Sequence, residues 1–154
     1  MDFNKFSFQR KFLLFVIVFA FAFQPIISQE VKQQQIPMPV RNAFNKKYVK
    51  SMDVEWTKKG SYFKVSFSLE GDYYYAYFTP SGKWAWSEYA IEDNELPAII
   101  KNSLQKSQFK DWQTGNINVI ITPKTKQYQV FVYDPDWNEL ELLFDSKGNL
   151  VIKN

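Results

Sequence analysis

The chain contains no cysteine and no histidine. Without cysteine there is no disulfide staple, no thiol nucleophile and no lipobox residue to carry a lipid. Without histidine the side chain that titrates nearest neutral pH is missing. Ser-His-Asp and Cys-His catalysis go with it, as do the commonest zinc ligands. Glycine is scarce, five residues in 154. None falls in the spacing of a dinucleotide or P-loop motif, so no phosphate-cradling loop is encoded. After residue 28 no run of Lys or Arg exceeds two, which argues against a nucleic-acid partner.

Long apolar runs are also missing, with one exception. Phe12 to Phe23 (FLLFVIVFAFAF) is twelve residues long and follows Lys5, Arg10 and Lys11. A membrane span needs about 20 apolar residues, whereas a secretory h-region needs roughly 7–15. Residues 1–28 therefore read as a cleavable signal peptide ending at Ser28, with an uncleaved anchor as the alternative. That segment holds three of the 19 basic residues and one of the 16 acidic ones. The remainder carries 16 basic and 15 acidic residues, a net charge of +1. It still has seven Phe, nine Tyr and five Trp, so the aromatic richness belongs to the folded part. The expected location is the periplasm or the exterior.

Residues 29–35 (QEVKQQQ) read as a polar linker. Beyond it, IPMPVRNAFNKKY at Ile36–Tyr48 returns as LPAIIKNSLQKSQF at Leu96–Phe109, sixty residues later. Pro37 or Pro39 and Pro97 suit a first helical turn, where a missing N–H costs nothing. Val40, Phe44 and Tyr48 mark one face of the first helix, and Ile100 and Leu104 that of the second. After each helix the period changes to two. Met52, Val54 and Trp56 alternate, then Phe63, Val65, Phe67 and Leu69. Tyr73–Phe78 and Trp84–Ile91 complete the first unit. Ile117–Thr122, Tyr128–Tyr133, Leu140–Phe144 and Leu150–Lys153 make the second.

The fold class is therefore α+β, with two tandem repeats, residues 36–92 and 93–154. Each is a helix plus an antiparallel meander. Units of about 60 residues are marginal alone. Joined edge to edge they form one sheet, with both helices on one face. Val40, Phe44, Val65, Phe67, Ile100, Leu104, Val130 and Phe144 are the expected core.

A Pro-led helix, Trp56 in the first strand, Tyr62, Val65 and Phe67 in the second, and Phe78 with Gly82 in the last hairpin form a pattern. Pro97, Ile100, Leu104, Tyr128, Val130, Phe144 and Gly148 repeat it. The arrangement resembles the PepSY-like, β-lactamase-inhibitor-like proteins of bacterial envelopes. The resemblance implies a sheet with two helices on one face, export, and protein binding without catalysis. No inhibitory residue of that family aligns with this chain.

Two carboxylate groups stand where chemistry would need them. Glu92, Asp93 and Glu95 stand where negative charge favours a helix N-terminus. Asp134, Asp136 and Asn138, with Asp145 at the twelfth position, begin like a calcium loop. Glu139 replaces the required glycine and a strand pattern follows, so a hairpin turn fits better. No catalytic residue, cofactor or metal is expected. What remains is Tyr73-Tyr74-Tyr75-Ala76-Tyr77-Phe78 beside Trp84-Ala85-Trp86. Alternation assigns Tyr74, Ala76 and Phe78 to the core. Tyr73, Tyr75 and Tyr77 then share the open face with either Trp84/Trp86 or Tyr89/Ile91. Tyr73, Tyr75, Tyr77, Trp84 and Trp86 are the expected contact set for a protein or peptide, with inhibition of a secreted or periplasmic enzyme as one form of that binding. Glycan stacking on the same residues is the alternative, and cross-strand stiffening of the sheet is the purely structural one.

Protein purified from the envelope is expected to begin at Gln29. An intact mass that retains Met1 or Phe12 would instead identify an uncleaved anchor.

Overall fold

The computed structural model describes residues 29–30 and 35–151. The signal-peptide reading of residues 1–28 lies outside them. Among the described residues, nine antiparallel strands form one sheet in chain order. They are β1 (Gln29–Glu30), β2 (Met52–Lys59), β3 (Tyr62–Leu69), β4 (Asp72–Phe78), β5 (Trp84–Ile91), β6 (Gln113–Ile121), β7 (Lys126–Tyr133), β8 (Glu139–Asp145) and β9 (Leu150–Val151). Helix α1 (Met38–Lys47) separates β1 from β2, and α2 (Ala98–Gln105) separates β5 from β6. Among the described residues, no helix is long and apolar enough to cross a membrane.

Both helices begin as their prolines suggest. Pro37 and Pro97 are the N-caps, and each carbonyl accepts the first helical N–H groups, from Val40 at 3.0 Å and Ile100 at 2.9 Å. The carboxylates before α2 act locally. Glu92 and Glu95 form a capping box on a single 3₁₀ turn, and Asp93 pairs with Lys101 at 2.9 Å.

The strand register shows that both helices cover one face. Phe67 pairs with Tyr74, Tyr74 with Tyr89, Tyr89 with Val119, Val119 with Tyr128, and Tyr128 with Phe144. Directly paired residues point to the same side of a sheet. Phe67 packs beneath α1 in a core with Val40, Phe44, Trp56, Val65 and Phe78. Phe144 packs beneath α2 with Ile100, Val119, Val130 and Leu142. There are thus two adjoining cores on one continuous surface. Phe44 meets Trp56, Phe67 and Phe78 edge to face, the arrangement that ring quadrupoles favour.

Of the expected core, Val40, Phe44, Val65, Phe67, Ile100, Val130 and Phe144 are buried. Leu104 is only half-buried, because it lies in the last turn of an eight-residue helix. Phe109, beyond that helix, is buried beside it. The alternation of Met52, Val54 and Trp56 also fails. A bulge between Met52 and Glu55, with Asp53 at φ +53°, leaves Met52 and Val54 exposed while Trp56 is buried. A matching irregularity falls between Thr114 and Ile117 in β6, so the repeat extends to its defects. Gln29 and Glu30, read from composition as linker, form an edge strand against Lys58 and Thr57. Their order comes from backbone pairing, which polar composition does not reveal.

Each repeat closes by seating a glycine turn on its helix. Gly82 and Gly148 both have φ +84°. A Cβ on Gly82 would stand 2.5 Å from the Pro39 carbonyl oxygen, and one on Gly148 2.8 Å from Ser103 Oγ. Gly60, at φ +60°, has nothing within 4 Å of that position. Gly82→Ala is therefore expected to cost about 1–3 kcal/mol, through clash as well as backbone strain. Gly60→Ala should cost only about 1 kcal/mol, through strain alone. Denaturant unfolding of the two variants checks the difference.

Candidate binding face

The face away from the helices is built from the alternate residues of the same strands. Thr57, Lys64, Tyr77 and Trp86 lie across from one another in one row, and Glu55, Ser66, Tyr75 and Glu88 in the next. Tyr73, opposite Ser68, ends the set and is 48% exposed. Beyond the β5–β6 seam the surface changes. Ile120, Gln127, Asn118, Gln129 and Leu143 follow, with an amide bond of 3.0 Å from Asn118 to Gln129. Farther along β7 the same side carries Phe131 opposite Glu141 and Tyr133 opposite Glu139, so the second repeat has rings only toward its β7–β8 turn.

Four of the five expected contact residues come together here, namely Tyr73, Tyr75, Tyr77 and Trp86. They have different standing. Trp86 lies flat on Tyr77, with centroids 4.0 Å apart and planes 13° from parallel. Tyr62 meets Trp86 edge-on at 4.9 Å. Tyr77 is consequently buried although it lies on the open side, and its hydroxyl donates to Glu88 at 2.7 Å. It supports the surface from beneath. Tyr75 carries the Lys64 ammonium over its ring at 3.7 Å and meets Tyr73 edge-on at 5.3 Å.

Trp84 is on the opposite side. The register slips between Tyr77 and Phe78, so that Tyr77 opposes Trp86 and Phe78 opposes Trp84. One extra residue, Ala85, separates two tryptophans that strict alternation would place together. Trp84 packs on the first core, and Lys47 lies over its ring at 3.7 Å. Its indole N–H donates to Ser87 at 2.8 Å, and Tyr48 hydrogen-bonds the same hydroxyl. Ser87 is buried and fully engaged. Tyr89 and Ile91, the alternative open-face pair, pack on the second core. Tyr62 was the residue missed. The signal for it was available, since it alternates with Lys64 and Ser66 opposite Phe63, Val65 and Phe67.

The electrostatics follow from this packing. Burial, then the Glu88 hydrogen bond and charge, push the Tyr77 phenol well above its ordinary range. Burial pushes Tyr75 up, with Tyr73 and Glu88 adding to it. Burial lowers the Lys64 ammonium, Glu88 opposing and Lys59 assisting. Asp134 is committed to its turn. Its carboxylate accepts the N–H groups of Asp136 and Asn138 and the Asn138 amide, all at 2.9 Å. Among the described residues, no group of three or more His, Cys, Asp or Glu is placed to hold a metal.

The family described as "Putative beta-lactamase-inhibitor-like, PepSY-like" matches the chain in two overlapping segments, residues 26–75 and 61–152. The chain belongs to this PepSY-like family. Three solved structures share its fold. A protein of Bacteroides eggerthii described as "putative periplasmic" is 24% identical, with TM-score 0.69, covering 75% of this chain and 86% of its own. A DUF2874 family protein of Bacteroides uniformis is 21% identical, with TM-score 0.71 and the same coverage. A BLIP-like protein of Bacteroides fragilis is 19% identical, with TM-score 0.69, covering 75% and 83%. No curated protein matches the chain.

In this PepSY-like chain the buried phenol makes alkaline stability a readout of the face. A phenol whose pKa is raised by folding contributes stability that is intact below its unfolded pKa, about 10. That stability is lost as pH rises through the folded value. One such group contributes a slope of about 1.4 kcal/mol per pH unit. Tyr77→Phe is expected to make the loss above pH 10 shallower by that amount, measured by unfolding at a series of pH values.

Proposed function

We propose that this chain is an exported, non-catalytic module that binds a protein or peptide on the open face of its first repeat. The observation that carries the reading is one-sided cover. Both helices lie on one face, while Tyr62, Tyr73, Tyr75 and Trp86 project from the other. Tyr and Trp dominate binding hot spots because they bury large area at little entropic cost. Trp86 is also held in place before any partner arrives, by Tyr77 beneath and Tyr62 beside it. Preorganisation of this kind lowers the ordering cost of binding. The absence of histidine and cysteine from the chain supports a role without catalysis. Membership of an inhibitor-like family supports a protein partner, and inhibition of an exported enzyme is one form such binding takes. The periplasmic relative supports export. Trp84, turned to the helix side, is left out of the contact set, and Tyr77 enters it as support.

The test is capture of envelope proteins by the mature chain, run beside a glycan array, followed by measured affinity for whatever is found. Trp86→Ala is expected to weaken a protein partner by about 30-fold, the equivalent of a 2 kcal/mol hot spot. Tyr73→Ala, half-exposed and outside the cores, gives a second reading with an unperturbed melting temperature. Unchanged affinity in both variants would refute the aromatic face. Signal confined to the glycan array would favour a carbohydrate ligand stacked on the same rings.

A further inference from the structure

Three turns in this chain share one hydrogen-bonding pattern. In the β8–β9 turn, Asp145 Oδ1 accepts the N–H groups of Lys147 at 2.8 Å and Asn149 at 2.9 Å, and Oδ2 accepts the Asn149 amide at 2.9 Å. Gly148 N–H donates to the Asp145 carbonyl at 3.1 Å. The β7–β8 turn repeats every one of these contacts from Asp134, with Trp137 in the place of Gly148. The β4–β5 turn has the same backbone bond, Gly82 to Thr79, at 2.9 Å. The fourth residue is left-handed in all three, at φ +84° for Gly82 and Gly148 and φ +63° for Trp137. Two of the turns use glycine, which adopts that conformation without strain. The third uses a tryptophan that is 68% exposed. Its one ring neighbour among the described residues is Tyr133, at 6.1 Å. Local stability does not account for a bulky ring at a strained position that buries so little.

The surroundings of Trp137 are predominantly acidic. Successive turns of a meander alternate between the two ends of the sheet. The β3–β4 and β7–β8 turns share one end and carry Glu70, Asp72, Asp136 and Glu139, all exposed, and no lysine; the chain entering β2 and β6 at the same end adds Lys50 and Lys110, which these acidic residues outnumber. The four turns at the other end each carry an exposed lysine, namely Lys59, Lys83, Lys124 and Lys147. Among the described residues, none of these lysines makes an ion pair. One molecule therefore presents an acidic end with a projecting indole and, at its opposite end, a basic rim of matching character.

We propose that copies of this chain associate head to tail, the Trp137 end of one docking against the lysine turns of the next. An aromatic anchor inside a charged rim is the usual anatomy of a protein interface. The two surfaces differ, so the contact is heterologous, and association continues into a ring or a filament rather than stopping at a two-fold dimer. This surface lies at the sheet ends, and its lysine side adjoins the aromatic face, where Lys59 lies 5.8 Å from the Tyr77 ring.

The test is sedimentation velocity on protein expressed from the full-length sequence and purified as its host processes it. In low salt the mass is expected to grow with concentration past a dimer. At about 0.5 M salt, where the Debye length is about 4 Å, it should return to monomer. Trp137→Gly should be monomeric, with a melting temperature no lower than wild type. A Lys124→Glu, Lys147→Glu double variant should also be monomeric. A mixture of the two variants should form a 1:1 heterodimer and grow no further, because each retains the end the other lacks. A monomeric wild type, an isologous dimer, salt-insensitive growth or unimpaired association of Trp137→Gly would each overturn the proposal.

Discussion

The antiparallel pairing of β5 with β6 carries one apolar surface across the seam between two repeats, from Tyr89 to Val119 and from Ile91 to Ile117. Each repeat has a helix and a core of about ten side chains, too small a unit to be comfortably stable alone. Without the seam, both strands would be bare edges with apolar residues alongside, the usual starting point for aggregation. With it, the two helices share one face, and the ends of the sheet fall to the short strands β1 and β9. Ser87 stands at this seam, buried and bonded to Tyr48 from the end of α1 and to Trp84. A hydroxyl is tolerated there because both of its partners are supplied.

One-sided cover has a direct consequence for function. A sheet buried on both faces would have no strand surface left to offer. Here the uncovered side of the first repeat is faced with rings, and the second with amides and aliphatic side chains that give way to Phe131 and Tyr133 toward the β7–β8 turn. The rings brace one another through the Tyr77–Trp86 stack, the Tyr62 edge contact and the Glu88 hydrogen bond. Cross-strand pairs of this kind stabilise a sheet by a few tenths to about 1 kcal/mol each. The same contacts therefore both stiffen the sheet and prepare a surface. The turns add a second asymmetry, since they alternate in charge along with the direction of the chain.

Much of the fold was legible because its signals are local. Proline at a helix start, apolar residues four apart, and alternation broken by turn residues all act within a few positions of one another. The repeated IPMPV and LPAII segments fixed the tandem organisation, and alternation alone placed Tyr73, Tyr75 and Tyr77 on the open face. Where alternation held along β3, Phe63, Val65 and Phe67 fell on one side and Tyr62, Lys64 and Ser66 on the other.

Local signals ended where one strand met its neighbour. The slip beside Phe78 turns Trp84 to the helix side, and the bulge near Asp53 exposes Met52 and Val54. A bulge is a mismatch between two strands, so neither strand records it alone. Tyr77 is buried because Trp86, nine residues away, lies on it. Gln29 and Glu30 become a strand because β2 has an edge to offer. The sequence by itself determined the elements, the repeat, the single-sided core and the absence of histidine and cysteine chemistry. Tertiary structure decided which rings reach solvent, because exposure depends on register and stacking between strands, and those are set by pairing rather than by composition.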